Sequence, residues 1–152
     1  MAHVEFRLRQ SSNSEIFAKR HPRVDGIKPA LEEECMKKFM AIYTGTPETR
    51  EKKWGALDEK QRKEREHAGM KAWFEWGTKH QKSIVDQGGP LGKTKRVAPE
   101  GVSDIRNYMA GYTVVEAESH EAAARMFEKH PHFTIFPGES VEIMEVLPIP
   151  KQ

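Results

Sequence analysis

Lys38-Phe39-Met40-Ala41-Ile42-Tyr43-Thr44, followed at once by Gly45-Thr46-Pro47, is the stretch on which the fold turns. Phe39, Ala41 and Tyr43 fall on one parity and Met40 and Ile42 on the other, so apolar side chains point to both faces. That is the pattern of a strand covered on both sides. Gly45-Thr46-Pro47 ends it, because glycine and proline together favour a turn.

Reading toward the C-terminus, the next region is helical, with a break near Trp54-Gly55. Asp58 with Gln61 three residues on has the form of a capping box and restarts the helix, which the pattern carries to about Gln81. Met70, Trp73, Trp76, Gly77, His80 and Ile84 recur at three- and four-residue steps and form one apolar stripe. Ser83 to Gln87 reads as a short strand. Gly88-Gly89-Pro90-Leu91-Gly92 reads as a turn that cannot be helix or central strand. Lys93 to Ala98 returns as the other arm of a hairpin, and Pro99-Glu100-Gly101 opens a loop to about Ala110. Gly111-Tyr112-Thr113-Val114-Val115-Glu116-Ala117 is the third main strand. Ser119 is a natural N-cap with Glu121 in the first turn. Ala123, Met126, Phe127 and His130 mark the buried stripe of a second helix, which Pro131 stops. Ser140 to Leu147 is the last strand.

The order strand, helix, strand with a hairpin, strand, helix, strand predicts an α+β fold: a ferredoxin-like β-α-β-β-α-β arrangement with both helices on one sheet face. Val141 and Ile143 share the parity of Phe39, while Met144 and Val146 share that of Met40. Both sheet faces are therefore apolar, and a second copy packing sheet to sheet is the simplest cover for the face without helices. The expected partners are a second copy of the chain and a small molecule.

Composition narrows the function classes. The chain has 152 residues, 25 basic and 23 acidic, and a formal charge of +2, enough for one domain of ordinary size. Its charges are interleaved, as in Lys60-Gln61-Arg62-Lys63-Glu64-Arg65-Glu66, which is the signature of a solvated helix face laced with i, i+4 pairs. A nucleic-acid surface gathers its positive charge on one side, so no nucleic-acid partner is expected. No apolar run approaches the roughly 18 residues of a membrane span, and no secretory signal opens the chain, so neither membrane nor export is expected. The lone cysteine, Cys35, follows Glu32-Glu33-Glu34. It forms no internal disulfide, and the expected compartment is the cytoplasm. Residues 1–35, with Ser11-Ser12-Asn13-Ser14 and scattered Gly and Pro, read as a flexible extension, a tag remnant or an upstream start with Met36-Lys37-Lys38 the natural beginning, ahead of a domain spanning 36–150. The alternative reading is an arm packing on a partner through Ile16, Phe17 and Val24.

Met36-Lys37-Lys38-Phe39-Met40-Ala41-Ile42-Tyr43 is similar to the opening of YCII-related (DGPF-type) proteins. So are Trp73-Phe74-Glu75-Trp76, Ile84-Val85-Asp86-Gln87-Gly88-Gly89-Pro90-Leu91-Gly92, Gly111 to Ser119, His130-Pro131 and Val141-Glu142-Ile143. The resemblance runs from Met36 to about Pro150. It implies a dimeric α/β barrel built from two ferredoxin-like subunits. It also implies a cleft in which some members carry a His–Asp pair. Here His80 and Asp86 stand nearest to that pair, while Trp73 occupies the region of the family histidine.

Several residues are candidates for chemistry. His80 and Asp86 would form an acid–base pair, with the indoles of Trp73 and Trp76, and Tyr43 on the first strand, packing against a planar ligand. The plainer reading makes the tryptophans core and has His80 satisfy a helix-end carbonyl. His130-Pro131-His132 offers two alternate imidazoles to a ligand. A metal there lacks a fixed third ligand, and the plainer reading is a helix C-terminus with His130 on its dipole. No metal or cofactor is expected. Gly88 to Thr94 has three residues where a phosphate loop needs four, and no helix follows. It is read as a turn with Lys93, Lys95 and Arg96 exposed. Arg106, Asn107 and Tyr108 either bind a polar group of the ligand or cap their loop. Two functions stand side by side: a small-molecule-binding dimer, or a cofactor-independent enzyme using His80 and Asp86.

Overall fold

Residues 36–152 are described by the structure, a computed structural model. The readings made for residues 1–35 lie outside the described residues. Strand β1 (Lys37–Thr44) is followed by helices α1 (Pro47–Trp54) and α2 (Glu59–Lys79), then by strand β2 (Ile84–Pro90). Strands β3 (Thr94–Ala98), β4 (Gly101–Ile105) and β5 (Met109–Ala117) come next. Helices α3 (His120–Arg125) and α4 (Pro131–Thr134) and strand β6 (Ser140–Glu145) complete the order.

Four strands form one antiparallel sheet in the order β2-β5-β1-β6. Each β-α-β half thus receives a strand of the other half between its own two, which is the ferredoxin-like topology of an α+β fold. The strand ladder makes the burial pattern legible. Phe39 is paired with Val115 and Ala41 with Thr113, all buried on the helix-covered face. Phe127 and Ala123 of the second crossover close over them, with Trp73, Trp76, Val141 and Ile143 at the margin. On the opposite face Met40 is paired with both Val114 and Met144, and Ile42 with Tyr112. These side chains are only half-buried, and Met144 is 46% exposed.

The local signals explain the helices. Thr46 caps α1 by accepting the Thr49 N–H at 3.1 Å, with Pro47 in the first turn. The Asp58–Gln61 capping box is present, Asp58 Oδ1 accepting from Gln61 N–H at 2.8 Å and Gln61 Oε1 from Asp58 N–H at 3.0 Å. Ser119 caps α3, and Glu121 pairs with Arg125 one turn on.

Two boundaries differ from the expectation. Gly88, Gly89 and Pro90 belong to β2 rather than to a turn, because β2 is an edge strand and its ladder shifts register twice on the way. An edge tolerates proline, and Gly88 takes the positive φ of 62° that the irregularity requires. A Cβ there would run into the carbonyl of Tyr112. The hairpin accordingly lies further on, β3 pairing with β4 around Pro99-Glu100, with Val97 opposite Val102. The second difference is at Pro131. It begins α4 instead of stopping a helix, since α3 ends at Arg125 and proline suits a first helical turn.

Candidate functional site

Most of the aromatic and imidazole side chains singled out in the sequence, Tyr108 excepted, converge on one seam, between the helix-covered sheet face and the crossover helices. Tyr43 comes from β1, Trp73 and Trp76 from α2, and His130 and His132 from the start of α4. The His130 ring is fully buried. Its centroid lies 4.6 Å from Trp73 and 4.7 Å from Trp76, both nearly perpendicular to it, and 5.2 Å from Tyr43. His132 stands 5.2 Å from Tyr43 on the other side. Phe127 and Phe136 complete the walls, 4.9 Å from Trp76 and 5.9 Å from Trp73.

Most polar atoms of the cluster have a partner. Tyr43 shares a 2.9 Å hydrogen bond with the Thr113 hydroxyl, and burial pushes its phenol up to about 12 despite that bond. Trp76 Nε1–H donates to the Met126 carbonyl at 2.8 Å. His132 Nε2 lies 2.7 Å from the Thr44 carbonyl; since a carbonyl only accepts, this nitrogen carries the hydrogen. Burial lowers the His132 pKa; the Thr44 bond opposes this, and Lys53 lowers it further.

His130 Nδ1 accepts the backbone N–H of His132 at 3.1 Å, so the neutral ring carries its hydrogen on Nε2. That Nε2 is buried and has no hydrogen-bond partner. Burial pushes the His130 pKa down to about 3, helped by the neighbouring His132 and His80. The cluster therefore presents one fixed, uncharged N–H donor among aromatic faces.

His80 joins the edge of this seam, its ring 5.1 Å from Trp76, with a pKa lowered by burial and by Lys79. Asp86 is elsewhere. Its Oδ1 accepts from Gly88 N–H at 2.9 Å and its Oδ2 from the Tyr112 hydroxyl at 3.4 Å. Tyr112 alternates with the buried Gly111 and Thr113, so Asp86 lies on the open sheet face while His80 lies on the helix side. Within the chain the two do not form a pair.

Arg106 and Tyr108 are exposed in the link between β4 and β5, where the Tyr108 carbonyl accepts from Gly45 N–H at 3.0 Å. Asn107 holds that link, accepting from Met109 N–H and donating to Thr94. Lys95 pairs with Asp104 at 2.7 Å and Arg96 with Glu100 at 3.7 Å, both on the hairpin. His130 is the N-cap of α4 rather than the end of a helix. Phe136 and Lys53 belong to the neighbourhood without having been marked in the sequence. Phe136 sits in an irregular stretch with no period, and Lys53 is one of a solvated charge run. Among the described residues no group of three His, Cys, Asp or Glu side chains could hold a metal ion, and no helix is long and apolar enough to cross a membrane.

No family model matches the chain, and no curated protein sequence matches it. Among solved structures it is similar to 5-chloro-2-hydroxyhydroquinone dehydrochlorinase (TftG) from Burkholderia phenoliruptrix AC1100, solved in complex with 2,5-dihydroxybenzoquinone. The two are 14% identical, with a TM-score of 0.42, over 70% of this chain and 90% of the other. A likeness of this degree says nothing about the chemistry of the cluster.

Proposed function

We propose that this is a YCII-related small-molecule-binding domain, working as a homodimer through its open sheet face. In this reading it holds a flat, uncharged ligand at the seam of Tyr43, Trp73, Trp76, His130 and His132. The observation that carries this reading is the Nε2–H of His130, a buried donor with no partner. Such a group costs about 1–3 kcal/mol when left unsatisfied, and the perpendicular indole faces beside it offset only part of that. A carbonyl or ether oxygen on a ligand would satisfy it. An anionic ligand fits less well, because the donor is uncharged. Trp73, Trp76 and Phe136 are half-buried, so the seam reaches the surface along these aromatic side chains. Because His80 and Asp86 lie on opposite faces, binding is favoured over proton transfer between them.

Tryptophan fluorescence titration with acetophenone, and with benzoate as the charged comparator, tests this. Acetophenone should quench saturably and benzoate should not, and Trp73→Ala should remove the response. Absence of saturation by either compound up to millimolar concentration sinks the binding reading.

A further inference from the structure

We propose that His130 is a proton-sensitive N-cap: a proton taken up at its Nδ1 uncaps α4 and frees the segment from His130 to Gly138 from the sheet. The opening is a property of the fold alone, but as a control on ligand release it rests on the binding reading given above.

Little holds α4. Four residues are too few for a helix to sustain itself, so its backbone depends on outside partners. His132 N–H is received by His130 Nδ1, and Phe133 and Thr134 N–H both reach the His130 carbonyl at 3.2 Å. The far end is tied by Gly138 N–H to the His132 carbonyl at 3.0 Å. Lys53 Nζ donates to the carbonyls of Phe133 at 3.1 Å and Gly138 at 2.5 Å. His132 pins the helix to β1 through the Thr44 carbonyl.

A neutral imidazole has one accepting nitrogen. In His130 that nitrogen is the cap, and the other already carries hydrogen. A second proton has nowhere to go but Nδ1, where it turns the acceptor into a donor facing the His132 N–H. His132 differs: its Nε2–H already donates to Thr44, and protonation at Nδ1 leaves that bond in place. The device is therefore in His130 and not in its neighbour.

The surroundings offer the added charge no relief. The titratable and charged groups facing the two histidines are Tyr43 from β1, Lys53 from α1 and His80 from the end of α2, with each histidine facing the other. Tyr43 is held neutral by burial. Among the described residues no carboxylate makes a hydrogen bond or ion pair with His80, His130 or His132. Burial keeps His130 neutral while the segment is closed, whereas an open segment titrates near the ordinary 6.5. Falling pH therefore drives opening.

Hydrogen exchange of the ligand-free protein, corrected for intrinsic rates, reads this at the amides of His132, Phe133, Thr134 and Gly138. Between pH 7 and pH 5 their opening equilibrium should rise by at least about 25-fold, the ratio that His130 alone gives, with His132 adding to it. β1 and β5 amides should not follow. His130→Asn keeps a capping acceptor that does not titrate in this range and should cut the rise to the part that His132 alone contributes. If that variant does not fold, 15N imidazole shifts of the unaltered protein decide. Opening should accompany protonation of His130, whereas His130 titrating near 6.5 with protected α4 amides overturns the proposal. An equal rise in His130→Asn overturns it as well. Ligand binding with no pH-dependent opening defeats this inference alone, and opening without any ligand binding defeats only the binding reading.

Discussion

Trp76 Nε1–H donates to the main-chain carbonyl of Met126 at 2.8 Å, tying the last turn of α2 to the C-terminal end of α3. Met126 closes α3, where carbonyls lack helical partners. One indole thus packs the core and satisfies a helix end. Trp76→Phe keeps much of the packing and removes the donor. It should cost about 1–2 kcal/mol, the usual penalty for a carbonyl left without its partner. Urea denaturation, read as a shift in midpoint at unchanged slope, measures it.

Global stability should depend on pH with a definite sign. His130 has a folded pKa of about 3, against 6.5 when unfolded. Its contribution is present in full above 6.5 and is lost as pH falls toward 3, because the unfolded chain binds the proton more readily. Denaturation at pH 7 and pH 5 should differ by about 2 kcal/mol from this group. His132, shifted in the same direction, adds to the loss. Stability unchanged from pH 7 to pH 5 would contradict the burial of a neutral His130.

Gly138 leaves no room for a side chain: a Cβ would overlap the His132 ring and the His132 carbonyl. Gly138→Ala should destabilise by about 1–3 kcal/mol, as overpacking does. The disturbance should concentrate at His132 and its bond to Thr44, visible as shift changes in the imidazole resonances.

The open face gives a fourth outcome. Val114 stands beside Met40 in the ladder and is half-buried in the single chain. If that face joins two copies, Val114→Lys places a charge inside the joint and should convert a dimer to a folded monomer. Native mass spectrometry with circular dichroism reads both points. A dimer that survives the substitution would move the joint elsewhere.

Where the sequence reading succeeded and where it failed has a physical pattern. Asp58 with Gln61, and Ser119 with Glu121, were legible because a cap is a contact between near neighbours in the chain. The burial of Phe39, Ala41 and Tyr43 followed from parity. The failures needed long-range knowledge. Gly88-Gly89-Pro90 carries every mark of a turn, and only the position of β2 at the sheet edge lets it be strand. Pro131 looks the same after a helix as before one. That His130 meets Trp73 and Trp76 follows from the crossover packing, as does the separation of His80 from Asp86 by the thickness of the sheet. The family resemblance suggested a pair at His80 and Asp86; strand parity divided it.

The strand order has a consequence for how the chain is made. β1 lies between β5 and β6 and does not pair with β2, the strand that follows it in sequence. About 70 residues separate the end of β1 from the end of β5. At roughly 5–20 residues per second, several seconds of synthesis pass before the first partner of β1 is complete. Through that interval Phe39, Met40, Ala41, Ile42 and Tyr43 form an apolar strand with two unpaired edges. Until β5 arrives, that stretch is exposed to pairing with other chains.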